Sequence, residues 1–140
     1  MSGRFFIDTN VFVYSFDDRQ PDKKVRALAL ISDALQTGNG MISWQVMQEF
    51  LNVSTRKFLV PLKPEDAKLY LQKVLHPLCQ VFPDVDLYSA ALEIMTKSGY
   101  SFYDSLIIAS AQRCGCVTLY SEDLHSGHLV DNVKIINPFK

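Results

Sequence analysis

The sequence has no run of about 18 consecutive apolar residues, the length that a membrane-spanning helix needs. The N-terminal apolar run already meets an acid at Asp8, which is too early for a signal-peptide core. We therefore expect a cytoplasmic protein. Glycine and proline number only six each, and no repeat, linker or low-complexity tract is visible. These absences predict a single domain spanning residues 1–140, a length that buries a core without cross-links.

The sequence also lacks an excess of charge of one sign, since its net charge is -1. This argues against a protein that holds nucleic acid by bulk electrostatics, but not against an enzyme that binds one phosphodiester through a metal ion. The three cysteines are too few, and odd in number, for a disulfide framework. Cys114 and Cys116, followed by His125 and His128, do not have the usual zinc-ligand spacing. We interpret both cysteines as small buried residues.

Short apolar runs alternate with helical patterns along the whole chain. Strands are predicted at residues 4–7, 41–43, 80–82, 117–120 and 133–136, and helices at about 21–35, 44–56, 64–75, 86–98 and 102–113. The third of these helices is expected to break at His76-Pro77. The inner face predicted for the first helix is Val25, Leu28, Ala29, Ile31, Ser32 and Leu35. This order predicts an α/β fold of three layers, with helices on both faces of a central, mostly parallel sheet.

Two acids stand where predicted strands end. Asp8 follows the first strand directly, and Asp123 follows the strand at 117–120 after two residues. In an open parallel sheet, ligands bind beyond the carboxyl ends of the strands, close to the point where the strand order reverses. Asp8 and Asp123 are therefore candidate site residues.

Two further acids each have a simpler explanation beside a functional one. Asp104 lies in the first turn of the most apolar helix, where a carboxylate also stabilises the helix end. Glu49 is the one acid between residues 41 and 55, and it could be merely solvated. Arg56 lies seven residues after Glu49 and shares its helical face, so Arg56 and Lys57 could pair with that acid or contact a phosphate.

Hydrolysis of a phosphodiester explains why carboxylates would gather. The reaction requires charge neutralisation at the phosphate and a hydroxide near neutral pH, and Mg²⁺ or Mn²⁺ held by hard oxygen ligands supplies both. Without a cation, four adjacent acids would repel one another and raise their pKa values. An acidic cluster therefore makes sense mainly with a bound ion.

Four segments of the chain resemble the PIN-domain nucleases, and especially the bacterial toxins of the VapC type. They are FIDTNVF at residues 6–12, SWQVMQEF at 43–50, YDSLIIASA at 103–111 and LYSEDL at 119–124. The segments occur in the family's order and span nearly the whole chain. This resemblance implies a metal-dependent endoribonuclease with a PIN-like fold.

Carried over position by position, the resemblance implies that Asp8, Asp104 and Asp123 hold Mg²⁺ or Mn²⁺ and that Glu49 completes the site. Thr9, Asn10 and Ser121 match supporting positions, although the family often has threonine where this chain has Ser121. Glu122 adds an acid beside Asp123, so the choice between these two stays open, with the family register favouring Asp123. Asp86 is interpreted as a helix cap, and Asp17-Asp18 as a solvated turn.

The resemblance also implies partners and a reaction. These are an RNA substrate cleaved to 5′-phosphate and 3′-hydroxyl ends, a cognate antitoxin that blocks the site with a basic side chain, and a second copy in a homodimer. Extra apolar residues on two helices agree with a dimer or with core packing: Tyr70, Leu71 and Val74, and Tyr88, Leu92 and Met95. Candidate phosphate contacts are Lys23, Lys24, Arg26, Arg56 and Lys57.

Three other functions compete with the toxin. Haloacid-dehalogenase-like phosphatases also begin with an acid after the first strand, but their general acid stands where this chain has Asn10, so that mechanism is lost. A PIN-fold nuclease of RNA processing would carry the same four acids. A non-catalytic RNA- or protein-binding module is favoured only when one acid is missing, and all four are present.

Overall fold

The computed structural model describes residues 3–140, in which strands and helices alternate as predicted. A π-helical turn, Leu71–Leu75, joins two of the helices. The elements in chain order are β1 (Phe5–Ile7), α1 (Thr9–Tyr14), α2 (Pro21–Thr37), β2 (Gly40–Ser43), α3 (Trp44–Arg56), α4 (Pro64–Tyr70), α5 (His76–Leu78), β3 (Cys79–Val81), α6 (Val85–Ser98), α7 (Phe102–Arg113), β4 (Thr118–Tyr120), β5 (Leu129–Val130) and β6 (Val133–Ile136).

The strands form one sheet in the order β3-β2-β1-β4-β6-β5. All neighbouring pairs are parallel except β5 and β6, which are antiparallel. The chain moves outward from β1 to β2 and β3, then returns to place β4 on the other side of β1. The strand order therefore reverses between β1 and β4, and the crevice beyond their carboxyl ends is where such sheets bind ligands. The predicted α/β fold with a mostly parallel sheet is confirmed.

The elements that lead to Asp8 and Asp104 are deeply buried in the core. All three residues of β1 are buried, as expected for a central parallel strand. Helix α7 buries seven consecutive residues from Ser105 to Ala111, which agrees with its nearly continuous apolar sequence. Phe50 of α3 is fully buried within a group of aromatic rings. Both helices are thereby held rigidly against the sheet.

The inner face predicted for α2 was wrong except at Ile31. The helix buries Ala27, Leu30, Ile31 and Ala34, whereas Val25, Leu28 and Leu35 are exposed. Both sets have helical spacing, and the small Ala27 and Ala34 permit close packing against the sheet. Gly40 of β2 shows how close this packing is, because an added Cβ atom would lie only 2.1 Å from the Cβ of Ala34. Packing distance, rather than residue hydrophobicity, selected the inner face.

The helical conformation continues through the predicted break at His76-Pro77 and ends at Leu78, after a π-helical turn at Leu71–Leu75. Leu75 and Leu78 are both buried, so continuing the helix places two large side chains in the core.

The structure corrects one cap and adds two elements. Asp84, not Asp86, is the N-cap of α6 and accepts from the backbone N–H of Leu87 at 2.8 Å. The short α1 and the two-residue strand β5 were not predicted, because both are too short to show a periodic pattern. Within residues 3–140, none of the helices has the length and apolar character needed to cross a membrane.

Candidate active site

Asp8 lies at the reversal point of the sheet and is buried. It is the N-cap of α1, and its Oδ1 accepts from the backbone N–H of Thr9 at 2.7 Å. Its Oδ2 accepts from the hydroxyl of Ser121, the residue that follows β4, at 2.8 Å. The backbone N–H of Asp8 donates to the carbonyl of Tyr120 at 3.0 Å. The ends of β1 and β4 therefore hold this carboxylate in one orientation.

The two residues after Asp8 each contact another predicted site acid. The hydroxyl of Thr9 donates to Oε1 of Glu49 at 2.7 Å, across 40 positions of the chain. The side-chain amide of Asn10 donates to Oδ2 of Asp123 at 3.0 Å. The first turn of α1 thus links β1 with α3 and with the segment after β4. Thr9, Asn10 and Ser121 occupy the supporting positions that the resemblance implied.

All four predicted acids line one cleft of about 680 Å³ at the carboxyl end of the sheet. They come from four separate segments: Asp8 from the end of β1, Glu49 from α3, Asp104 from α7 and Asp123 from the segment after β4. Asp8 lies at the buried base, while Glu49 and Asp123 are exposed. The fold brings together every acid that the sequence singled out.

Burial raises the pKa of Asp8 from its usual 3.8 to about 6. The hydrogen bonds from Ser121 and Thr9 oppose this rise, and the nearby negative charges of Glu49 and Asp123 add to it. Ionising Asp8 is therefore costly unless positive charge is brought into the cleft.

The donor chemistry of the cleft fits a hard divalent cation. Carboxylate oxygens are the ligands that Mg²⁺ and Mn²⁺ prefer, and Oδ1 of Asn10 is buried without a hydrogen-bond partner beside them. However, nowhere in residues 3–140 do three acid, histidine or cysteine side chains lie close enough together to hold an ion as they stand. The cleft supplies suitable oxygen ligands but no complete coordination shell. This is usual for Mg²⁺, which keeps several of its waters.

Comparison with protein families identifies the domain. The PIN domain model matches residues 5–126, which include all four acids. The chain belongs to the PIN domain family. No protein with a curated functional description matches it in sequence.

Solved structures share the fold of this PIN domain at low sequence identity. A chain of the FitAB complex bound to a DNA fragment is 19% identical with a TM-score of 0.65, over 97% of this chain and 96% of that chain. VapC20 of Mycobacterium tuberculosis, described as a sarcin-ricin loop cleaving toxin, is 20% identical with a TM-score of 0.57, over 85% of this chain and 89% of that chain. A toxin–antitoxin complex from Klebsiella pneumoniae matches at 16% identity and a TM-score of 0.64, over 98% of each chain.

The carboxylate of Glu122 is hydrogen-bonded to other side chains in this PIN domain. Its two oxygens accept from the hydroxyl of Tyr14 at 2.6 Å and from the ammonium of Lys23. Tyr14 and Lys23 together hold the pKa of Glu122 below its usual value against the effect of burial, the largest single influence. Asp123 is therefore the freer of the two neighbouring acids to face a ligand.

Asp104 is not the cap of α7. The N-cap is Ser101, whose hydroxyl oxygen accepts from the backbone N–H of Asp104 at 3.2 Å. Because Ser101 performs the capping, the carboxylate of Asp104 is left to line the cleft. Asp104 does not provide the N-cap, but it does lie in the first turn of α7, where its charge also stabilises the helix end.

Of the five candidate phosphate contacts, Lys57 is the one that lines the cleft. Lys23 pairs with Glu122, Lys24 pairs with Asp18, and Arg26 donates to the carbonyl of Pro138. Arg19, which sequence reasoning overlooked, also lines the cleft and pairs with Asp17. The sequence around Arg19 gave no indication that this residue lines the cleft, because tertiary packing alone places the turn that carries it. Asp17 and Asp18 were interpreted as a solvated turn, and each forms an ion pair with a basic side chain.

Proposed function

We propose that this PIN domain is a metal-dependent endoribonuclease and the toxin of a VapBC-type toxin–antitoxin pair. The observation that carries the proposal is the convergence of Asp8, Glu49, Asp104 and Asp123, from four distant segments, on one cleft at the reversal point of the sheet. A fold without metal chemistry gains nothing from four carboxylates at one place, because their mutual repulsion costs free energy.

Asp8, Asp104 and Asp123, with Glu49, would hold Mg²⁺ or Mn²⁺. Such an ion, when bound, lowers the pKa of water to produce hydroxide and offsets the charge on the attacked phosphate. Glu49, whose Oε1 accepts from the Thr9 hydroxyl, would bind a second ion or orient the water.

The chain's own residues orient the acids and receive the substrate. Ser121 and the Thr9 N–H fix both oxygens of Asp8, and Asn10 holds one oxygen of Asp123. Lys57 would supply positive charge at the wall of the cleft for a neighbouring phosphate, whereas Arg19 is paired there with Asp17. A water attacks phosphorus in line with the departing 3′ oxygen, so hydrolysis leaves 5′-phosphate and 3′-hydroxyl ends.

The ends of the cleaved RNA test this chemistry. Incubation of structured RNA with the protein and Mg²⁺ or Mn²⁺ should yield 5′-phosphate and 3′-hydroxyl termini, and EDTA should stop cleavage. The measurement is ligation competence of the fragments together with mass spectrometry of their ends. Fragments that end in 2′,3′-cyclic phosphate would contradict the proposal, because those ends require attack by the ribose hydroxyl and not by water.

An RNA substrate and an antitoxin partner are supported by the structural neighbours. VapC20 is described as cleaving the sarcin-ricin loop, and other neighbours come from toxin–antitoxin complexes. A toxin of this kind would act on RNA in the cytoplasm, and its antitoxin would place a basic side chain among the acids. A small antitoxin gene directly upstream would support this role, as distinct from that of an RNA-processing nuclease.

We further propose a homodimer that buries the exposed side of α6. Tyr88 and Leu92 are exposed there, and Tyr88 lines an apolar groove of about 520 Å³ together with Trp44. Tyr70, Leu71 and Val74 instead pack against the core and are not available. Light scattering at micromolar concentration should give the mass of a dimer, and the substitution Leu92→Glu should shift it to a monomer. A wild-type monomer would contradict the proposal.

A further inference from the structure

Two of the four acids lie on segments outside the strands, and no strand pairing links these segments. Asp104 is in the first turn of α7, and Asp123 is in the loop that follows β4, residues 121–128, here called the Asp123 loop. Asp123 has a hydrogen bond from Asn10 on its own side of the cleft. Ser121 and Glu122 of the same loop are held by Asp8 and by Tyr14 and Lys23, and none of these contacts reaches α7.

Tyr100 provides a contact between this loop and the turn before α7. It stands in the turn between α6 and α7, directly before the N-cap residue of α7. Its hydroxyl oxygen accepts from the backbone N–H of His125 at 3.3 Å and lies 3.1 Å from Nδ1 of His128. A hydroxyl has one proton and two lone pairs, so it can accept from the amide and donate to the ring nitrogen at the same time.

The ring of Tyr100 packs between the same two residues. Its centroid lies 5.9 Å from that of His125, edge to face, and 5.7 Å from that of His128. One side chain thus contacts the Asp123 loop through two hydrogen bonds and two ring contacts. Such aromatic pairs add to the free energy gained from burial alone.

The other anchors of the Asp123 loop lead to β1, α1 and α2, through Ser121, Glu122 and Asp123, and to β6. The backbone N–H of Gly127 donates to the carbonyl of Ile135 at 2.7 Å, and the hydroxyl oxygen of Ser126 accepts from the N–H of Asn137 at 3.0 Å. Among the hydrogen bonds of residues 3–140, those of Tyr100 are the ones that join this loop to the turn before α7. They are therefore the direct connection between the backbone that carries Asp104 and the backbone that carries Asp123.

We propose that Tyr100 is a positioning residue, which holds the Asp123 loop against the start of α7 and so sets the separation of Asp104 and Asp123. This inference rests on the proposed function, because it assumes that both acids act on one substrate. Tyr100 does not line the cleft, and it acts through the two acids alone.

The substitution Tyr100→Phe tests this role, since it removes the hydroxyl and keeps the ring contacts. Loss of the bond to the His125 amide should accelerate hydrogen exchange in residues 122–128 by about three- to tenfold. The value of kcat for RNA cleavage should fall by about tenfold, as is typical when support for metal ligands is lost, while KM stays within about twofold. The unfolding temperature should change little.

Thr37→Val is the matched control. The Thr37 hydroxyl also accepts from a backbone N–H, that of Asn39, and donates to the carbonyl of Asp33, but it lies at the end of α2 away from the cleft. This variant should keep the kcat of the wild type and its exchange rates in residues 122–128.

The outcomes separate this inference from the proposed function. If the wild type cleaves RNA and Tyr100→Phe keeps its kcat, the positioning role is overturned while the nuclease stands. A loss of kcat that Thr37→Val shares would overturn it too. If the wild type does not cleave RNA, the proposed function fails, and unchanged hydrogen exchange in Tyr100→Phe would then reject the contact itself.

Discussion

Replacing Asp8 with asparagine should lower the rate of RNA cleavage by about a thousandfold. A bound divalent ion contributes several kcal/mol to such a reaction, and each 1.36 kcal/mol is worth about tenfold. Asp8 is the buried acid at the base of the cleft, and both of its oxygens are held by neighbours. An amide keeps the shape and the hydrogen bond from Thr9 but lacks the charge that a cation requires.

The same substitution should stabilise the fold in the absence of divalent ions. Because the pKa of Asp8 is raised to about 6 in the folded protein, its charge opposes folding above that pH. The rise from 3.8 corresponds to about 3 kcal/mol. The stability gained with Asp8→Asn should therefore be largest at pH 7–8, shrink as the pH falls through about 6 and vanish near the usual pKa of aspartate.

Cleavage assays with Mg²⁺ and urea unfolding in EDTA at several pH values measure the two effects. The control is Asp33→Asn, which changes an exposed aspartate on α2 away from the cleft and should alter neither quantity. Full cleavage by Asp8→Asn would reject the proposal of a metal-dependent nuclease that acts through this cleft. A variant both inactive and less stable than the wild type would instead show that Asp8 serves mainly to hold β1 and β4 together.

Replacing Phe50 with alanine should destabilise the protein by about 3–5 kcal/mol. The Phe50 ring is fully buried, and its centroid lies 5.0–6.2 Å from those of four neighbours: Phe12, Phe16, Phe58 and Tyr70. These rings join α1, α3 and α4, and Phe50 directly follows Glu49. The resulting cavity would loosen the packing of the helix that carries this acid.

Chemical denaturation of Phe50→Ala against the wild type measures this loss. The matched control is Leu59→Ala, which removes an apolar side chain that is 81% exposed and should change stability by less than about 0.5 kcal/mol. A loss below about 1 kcal/mol in Phe50→Ala would show that the aromatic group closes around the gap or is loosely packed in solution.

The convergence of the four acids on one cleft was largely predictable, because most of them stand at recognisable boundaries between elements. Asp8 and Ser121 follow apolar strands, and Asp104 lies in the first turn of an apolar helix, so their places near the carboxyl end of the sheet followed from local pattern. Glu49 was different. Its helix was predicted, but its contact with Thr9 joins residues 40 positions apart and could not be inferred from local pattern.

The errors share a physical cause. The predicted and the observed inner faces of α2 have the same helical spacing. The closeness of Ala34 to Gly40 decided which of these faces packs against the sheet. The helix break at Pro77 was predicted from a local rule, but burial of Leu75 and Leu78 outweighed that rule. In both cases a tertiary contact competed with a local preference and won.

By itself, the sequence determined the alternation of strands and helices, the α/β class and the four acids at element boundaries. These features depend on side-chain periodicity and on turn residues, which act over a few positions. Only the tertiary structure decided that Glu122 pairs with Tyr14 and Lys23 while Asp123 accepts from Asn10, that Arg19 and Lys57 line the wall of the cleft, and that Tyr100 links the backbones of Asp104 and Asp123. Those facts are contacts between distant segments, and they exist only once the strand order β2-β1-β4 has brought the ends of the strands together.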